Sequence, residues 1–315
     1  MADRRRLNAP SGGTNPPIFA TLPSSQSSPK PTRTRNPDDH RKLFLRTSIV
    51  PSASGSAYYE VVPSTTTHPS QQTLNPTSSN LKITATVHGP RPLPRNAAFS
   101  PNLLLTTTVK FAPFATNNRR GYVRDSWERD LGVHLQTALE GVVIGERWPK
   151  SACEVIITVL EGEGDGSGWG SMNVLGGCVT AASAALAEAG VDCLDLISGG
   201  VAAVVGGGEG ASSAERRIVL DPCPGEERVE AACVVAYALG RDEVVEMWMK
   251  GDVRSEGEAL IDSAVKAAVM TRSVLAEAMK EAAENKKSSM LEANGSSEKA
   301  GKGKEGREMD VAMTG

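Results

Sequence analysis

Apolar and polar positions alternate in two runs that dominate the N-terminal half of the chain: Gly-Ser-Ala-Tyr-Tyr-Glu-Val-Val at 55–62 and Lys-Ile-Thr-Ala-Thr-Val-His-Gly-Pro-Arg at 82–91. Their β-branched and aromatic residues mark extended segments, and together they read as one hairpin. Pro90 has no N–H, so the ladder is expected to stop there. The 19 residues between the runs, 63–81, are Pro, Ser, Thr, Gln and Asn with almost nothing apolar, so this loop has nothing with which to bury itself.

The same reading carries along the chain. Arg41-Lys42-Leu43-Phe44-Leu45-Arg46 leads into a first strand at Ser48-Ile49-Val50, and 103–111 is a further strand introduced by the turn residues Ser100-Pro101-Asn102. Asp125 with Glu128 three residues later is a capping-box pattern. Trp127, Leu131, Leu135, Leu139 and Val142 follow at helical spacing, a helix of about five turns. A strand at 152–160 and a Gly/Asp-rich loop at 161–170 precede an Ala-rich helix at 173–188. Its small side chains let a sheet approach closely, and Gly190 sits where a left-handed C-cap belongs. Strands are expected at 193–198, 200–205, 217–220 and 232–239. Ser255 and Glu258 then open a long helix with Leu260, Ile261, Ala264, Val265, Ala268, Val269, Leu275 and Met279 on one stripe, placed to cover a sheet face. Strands, helix, strand, helix, strands, helix is the order of an α+β layered protein, not of a doubly wound parallel sheet.

Composition trims the 315 residues to one core domain. Residues 1–40 are rich in Pro, Ser, Arg and Asn, and 285–315 in Lys, Glu, Gly, Ser and Ala without period, so both read as disordered tails around a domain at 41–284. The first 46 residues hold nine Lys/Arg against three Asp, and 285–315 six basic against five acidic residues. A total of −3 therefore leaves −10 between them. An acidic core does not coat nucleic acid over a broad face, which confines any RNA contact to loops or to the N-terminal arm. The five cysteines, Cys153, Cys178, Cys193, Cys223 and Cys233, form no Cys-x-x-Cys pair and read as reduced thiols, without a zinc site. No apolar stretch follows the basic N-terminus, and the apolar run at 196–208 is too short and Gly-rich to span a bilayer. A soluble intracellular chain with no membrane partner is expected.

Candidate chemistry is sparse. The Gly-rich loop at 162–170 lacks Gly-x-Gly-x-x-Gly and Gly-Lys-Ser/Thr. Gly206 to Ala211 fits Gly-x-Gly-x-x-Ala after a strand, but no amphipathic helix follows it, so a hairpin turn is the better reading. His40, His68, His88 and His134 make no metal-ligand spacing. Asp221, Glu226, Glu227 and Glu230 cluster after a strand, which reads first as a solvated turn and second as acid for phosphate-ester chemistry. Arg119 and Arg120, with Arg124 and Arg91, are candidate phosphate contacts, because guanidinium forks grip phosphates bidentately and loops at one sheet end can gather several. Solvated arginines that keep an acidic core soluble account for them equally well.

Taken together, Gly55-Ser56-Ala57-Tyr58-Tyr59-Glu60, Val87-His88-Gly89-Pro90-Arg91, Ala112-Pro113-Phe114-Ala115, Leu135-Gln136-Thr137-Ala138-Leu139-Glu140, residues 181–190 and Leu220-Asp221-Pro222 resemble, in order, the RNase PH family, and within it the ring subunits of the RNA exosome. The resemblance implies an α+β, RNase PH-like (ribosomal protein S5 domain 2-like) fold of mixed sheets packed with helices and flanked by tails. It implies a hetero-hexameric ring of RNase PH-like subunits, an RNA-binding cap subunit, RNA in a central channel, and residence in nucleus, nucleolus and cytoplasm, with no cofactor. Active members use inorganic phosphate to shorten RNA from its 3′ end. They hold the phosphate with an Asp-Gly-Gly-Thr-Arg turn and carry an acidic residue in a later strand. The turn here reads Asp165-Gly166-Ser167-Gly168-Trp169-Gly170-Ser171 without Arg, and the strand reads Glu230-Ala231-Ala232-Cys233 without the acid. The resemblance therefore implies a non-catalytic ring subunit, with RNA contacts at Arg91, Arg119, Arg120 and Arg124. The alternative is an active phosphorolytic exoribonuclease, which would need a substitute cation near Ser167 and a carboxylate near Ala232, folded back from Asp221 or Glu227. The hairpin loop is much longer than the family's tight turn.

Overall fold

The computed structural model describes residues 33, 35–61, 81–116, 119–121, 123–163, 169–206, 216–223 and 229–312, with side chains to 288. The expected N-terminal tail before Arg33, most of the hairpin loop and the side chains of the C-terminal tail lie outside the described residues. Five strands form the first sheet in the order β1-β2-β3-β5-β4: β1 (Leu43–Thr47), β2 (Gly55–Val61), β3 (Leu81–Pro92), β4 (Leu104–Phe111) and β5 (Ser151–Glu161). The second holds β6 (Ile197–Val205), β7 (Arg217–Leu220), β8 (Val229–Ala238) and β9 (Glu243–Gly251) in the order β7-β6-β8-β9. Helices α1 (Ser126–Glu140) and α2 (Gly170–Ala189) fill the space between the sheets, and α3 (Gly257–Ala312) covers the far face of the second sheet.

Alternation decides which face of each strand is buried. In β3, Leu81, Ile83, Ala85 and Val87 point inward while Lys82, Thr84, Thr86 and His88 are half-buried on the outer face. Leu81 is therefore the first core residue of β3, although the composition of the preceding loop assigns it to that loop. β6 lies between two helix layers, and all nine of its residues are buried. Seventeen residues of α2 are buried. By length and composition α2 could cross a membrane, but its apolar surface is used inside the protein.

Several expected boundaries move for physical reasons. β1 is formed by Leu43–Thr47, because Leu45 points into the core. Ser48 instead turns out of the strand with φ 60°, and its backbone N–H donates to Glu188. Pro90 does not stop β3: the ladder to β5 skips Gly89 and Pro90 in a bulge and resumes with Arg91 opposite Ala152. The strands expected at 193–198 and 200–205 are one strand, β6, that begins at Ile197. Gly199 and Gly200 remain within it because helices crowd both faces. A Cβ on Gly199 would land on the Gly176 carbonyl oxygen of α2, and one on Gly200 on the Ala264 carbonyl oxygen of α3. β9 was not anticipated. It is an edge strand with Val244 and Met247 exposed, so it shows little apolar alternation.

The capping box at Asp125 forms, with the Glu128 carboxylate accepting from the Asp125 N–H at 3.1 Å and from the Phe111 N–H at 3.1 Å. The one expected at Ser255 does not, because that residue lies in a short 3-10 turn and α3 starts at Gly257. Leu260, Ala264, Ala268 and Leu275 bury the expected stripe, while Val269 is exposed. The helix is assigned to Ala312.

Candidate functional site

At one end of the sheets β4 and β5 finish, α2 begins and β7 finishes, so the loops that follow Phe111, Glu161 and Leu220 share one corner. Arg33 and residues 35–41 lie along β7 and lead into this corner. The Leu220 N–H donates to the Pro37 carbonyl at 2.8 Å, and Arg33 Nη2 donates to the carbonyls of Leu220 at 3.1 Å and Asn36 at 2.9 Å. Because β7 is an edge strand, the segment closes an edge that would otherwise offer unpaired backbone groups.

The segment ends in a buried ion cluster. Arg41 Nε and Nη2 donate to the two oxygens of Asp221, both at 2.7 Å, and Nη1 lies 2.5 Å from Glu163 Oε1. Arg35 Nη1 donates to Asp221 Oδ2 at 3.1 Å, and Asn173 on α2 donates to Glu163 and to the Pro222 carbonyl. Asp221 adopts φ 49°, a left-handed conformation rare outside glycine, and these contacts hold it there. Burial alone would raise the Asp221 carboxyl, but Arg41, then His40 and Arg35, hold it well below the usual carboxylate range. Glu163 goes the other way: burial raises it, and Arg41 only partly offsets that. Arg41 would be lowered by burial, yet its two carboxylates keep it charged.

Asp221 is thus not part of a solvated turn; it is 4% exposed and fully engaged. Glu226 and Glu227 lie outside the described residues. Glu230 is paired with Arg216 at 3.0 Å. Ala232, two residues further along β8, is buried on the inner face of the second sheet with no carboxylate of its own. Of the Gly-rich turn, Trp169 to Ser171 are described, and Lys250 Nζ sits 5.7 Å from the Trp169 ring centre.

The four candidate RNA-binding arginines are not brought together. Arg91 stands beside Ala152, which also pairs with Leu104 at the start of β4. Arg119, Arg120 and Arg124 lie beyond Phe111 at the strand's other end, roughly 23 Å away at the usual strand rise. Arg119 and Arg124 are exposed, but Arg120 is turned inward. Its guanidinium lies 4.6 Å from the Trp127 ring centre and 5.4 Å from that of Phe111, and it is paired with Asp125 at 2.9 Å. Arg35, Arg41, Glu163 and Asn173 escaped the sequence reading. The only sequence trace of their cluster was Asp221-Pro222, because partners 180 residues apart leave no local pattern.

Residues 39–192 match the 3′ exoribonuclease family, domain 1, RNase PH. The chain is 47% identical over 262 residues to exosome complex component MTR3 of Chaetomium thermophilum, covering 80% of this chain and 88% of that protein. It is 29% identical over 283 residues to exosome complex component mtr3 of Schizosaccharomyces pombe, covering 89% and 96%. The crystal structure of rice (Oryza sativa) Rrp46 superposes with a TM-score of 0.56 at 16% identity over 77% of this chain and 96% of that one, a likeness of fold.

Proposed function

The chain belongs to the RNase PH family, and from that premise we propose that it is a non-catalytic ring subunit of the RNA exosome, of the type called MTR3. It stands beside other RNase PH-like subunits in a hetero-hexamer, supports an RNA-binding cap subunit, and helps pass RNA to a nuclease for processing, rRNA included, and decay. The observation that carries the absence of catalysis is the state of the carboxylates. The strand position that active relatives fill with an acid is the buried methyl of Ala232, and Asp221, one of the two carboxylates named as substitutes, is held by Arg41 and Arg35. Lys250 beside Trp169 could supply a cation, but it leaves the acid's position at Ala232 unfilled.

The test is phosphate-dependent shortening of a 5′-labelled RNA by the purified chain and by the reconstituted ring. The expected outcome is no shortening by the chain alone and a stable place in the ring. Shortening by the chain that disappears when phosphate is omitted would establish the active-exoribonuclease alternative. A fluorescent fusion should distribute among nucleus, nucleolus and cytoplasm.

A further inference from the structure

β1 is an edge strand, and its free side runs into a groove of about 290 Å³ between residues 45–48 and the Ala278, Ala282 and Lys286 side of α3. Register decides what the strand offers there. The Ser48 N–H donates to the Ser56 carbonyl at 3.1 Å, so in this antiparallel ladder Phe44 and Arg46 also turn their backbone groups toward β2. Leu43, Leu45 and Thr47 turn theirs the other way, and nothing among the described residues bonds to them. Both walls of the groove are tied to the end of α2. The Ser48 N–H donates to the Glu188 carboxylate at 3.0 Å, and Lys286 Nζ donates to the Glu188 carbonyl at 3.4 Å. The groove is therefore formed before anything enters it, which removes an ordering cost from binding.

The side chains along this edge select a partner. Lys42, Phe44 and Arg46 are exposed at every second position, whereas Leu45 and Thr47 point into the protein. Lys42 and Arg46 make no ion pair among the described residues, although the core of the protein is acidic. Two cations on an edge repel a second copy of the same edge but attract an acidic strand. A nucleic acid would meet the cations and leave the row of backbone groups unused. A strand laid on β1 sets one residue opposite each of Lys42, Phe44 and Arg46. Its alternate residues point over α3, where Ala278 and Ala282 leave room for small side chains. We propose that this groove takes an extended segment of another protein as an added antiparallel strand, with the pattern acidic, small, apolar, small, acidic. The carboxylates pair with Lys42 and Arg46, and the apolar residue covers Phe44, which is 49% exposed. The contact depends on neither RNA nor ring membership.

The experiment measures fluorescence anisotropy of a labelled Gly-Glu-Ala-Val-Ala-Glu-Gly peptide with the full-length chain and with the assembled ring. Binding to both is expected. Lys42→Glu with Arg46→Glu should weaken it by roughly tenfold or more, and a peptide with Lys in place of both Glu should bind that double variant in preference to the parent. The exchange also shows that the variant is folded. Methylating the backbone nitrogens of the two Ala residues, which lie opposite Leu43 and Leu45, should abolish binding. Methylating that of Val, which points away from β1, should leave it intact. No binding by the parent chain, no response to the charge exchange, or equal loss from both methylations overturns the proposal. So does binding by the free chain that disappears in the ring, which would make the groove a subunit contact. Displacement of the peptide by oligoadenylate would make RNA the occupant and overturn it as well.

Discussion

Replacing Arg41 by Met tests the buried cluster most directly. The side chain keeps its apolar stem and loses a guanidinium held by two contacts of 2.7 Å to Asp221 and one of 2.5 Å to Glu163, all three groups being 6% exposed or less. Arg35 remains within 3.1 Å of Asp221, but among the described residues Glu163 is left with Asn173 as its hydrogen-bond partner. Removing one partner of a buried pair leaves an uncompensated charge, which costs about 3 to 5 kcal/mol. The pH dependence has a definite sign. In the parent protein Asp221 is depressed, so its contribution is present above the unfolded value, about 3.9, and is lost as pH falls through the lower folded value. In R41M both carboxylates are buried with less positive charge, so their folded values rise and the native state takes up protons. The variant's deficit should therefore be largest near pH 7 and should shrink on acidification toward pH ~4. Urea unfolding followed by tryptophan fluorescence at pH 7, 6 and 5 reads it. Adding E163Q to R41M should recover part of the loss at pH 7. A deficit below about 1 kcal/mol, or one independent of pH, would refute the account of the cluster.

Gly200→Ala should push α3 off β6, costing about 1 to 3 kcal/mol or more, seen as a fall in melting temperature; an unchanged melt would contradict the close approach at Ala264. Arg120→Ala should cost about 1 to 2 kcal/mol in chemical unfolding through its lost stacking on Trp127, whereas Arg119→Ala should cost nothing measurable. Burial pushes the thiols of Cys153 and Cys193 up to about 11, so at pH 8 the native protein should react slowly with a disulfide reagent and the denatured chain quickly; rapid labelling of the native protein would oppose this.

Sequence was a good guide wherever a segment's own periodicity determines its place. β2, β3, α1 and the Ala-rich α2 announce themselves because each buries a single face or, in α2, consists of small residues throughout. It failed where a partner from elsewhere decides. Gly199-Gly200 reads as a strand break until two helices are placed on either side of it, and β9 lacks alternation because its edge is exposed. The arginines show the same limit. Their composition gives a charge to each loop, but only strand order shows that Arg91 stands at the far end from Arg119 and that Arg120 is turned inward. The Arg41–Asp221–Glu163 cluster is assembled by topology alone.

The position of α2 between the sheets bears on how the chain is made. Its inner surfaces, Gly177 against Tyr59 and Ile83 on one side and Gly176 against Val201 on the other, belong to strands translated before and after it. During synthesis from the N-terminus, the first sheet and α2 emerge with half of the helix's apolar surface still uncovered. They can acquire native packing on that side only after β6 and β8 have left the ribosome. The chain therefore has no natural point between residues 190 and 238 at which it could be split into two halves that fold separately, and a nascent chain paused there should be a ready client for chaperones that shield apolar helices.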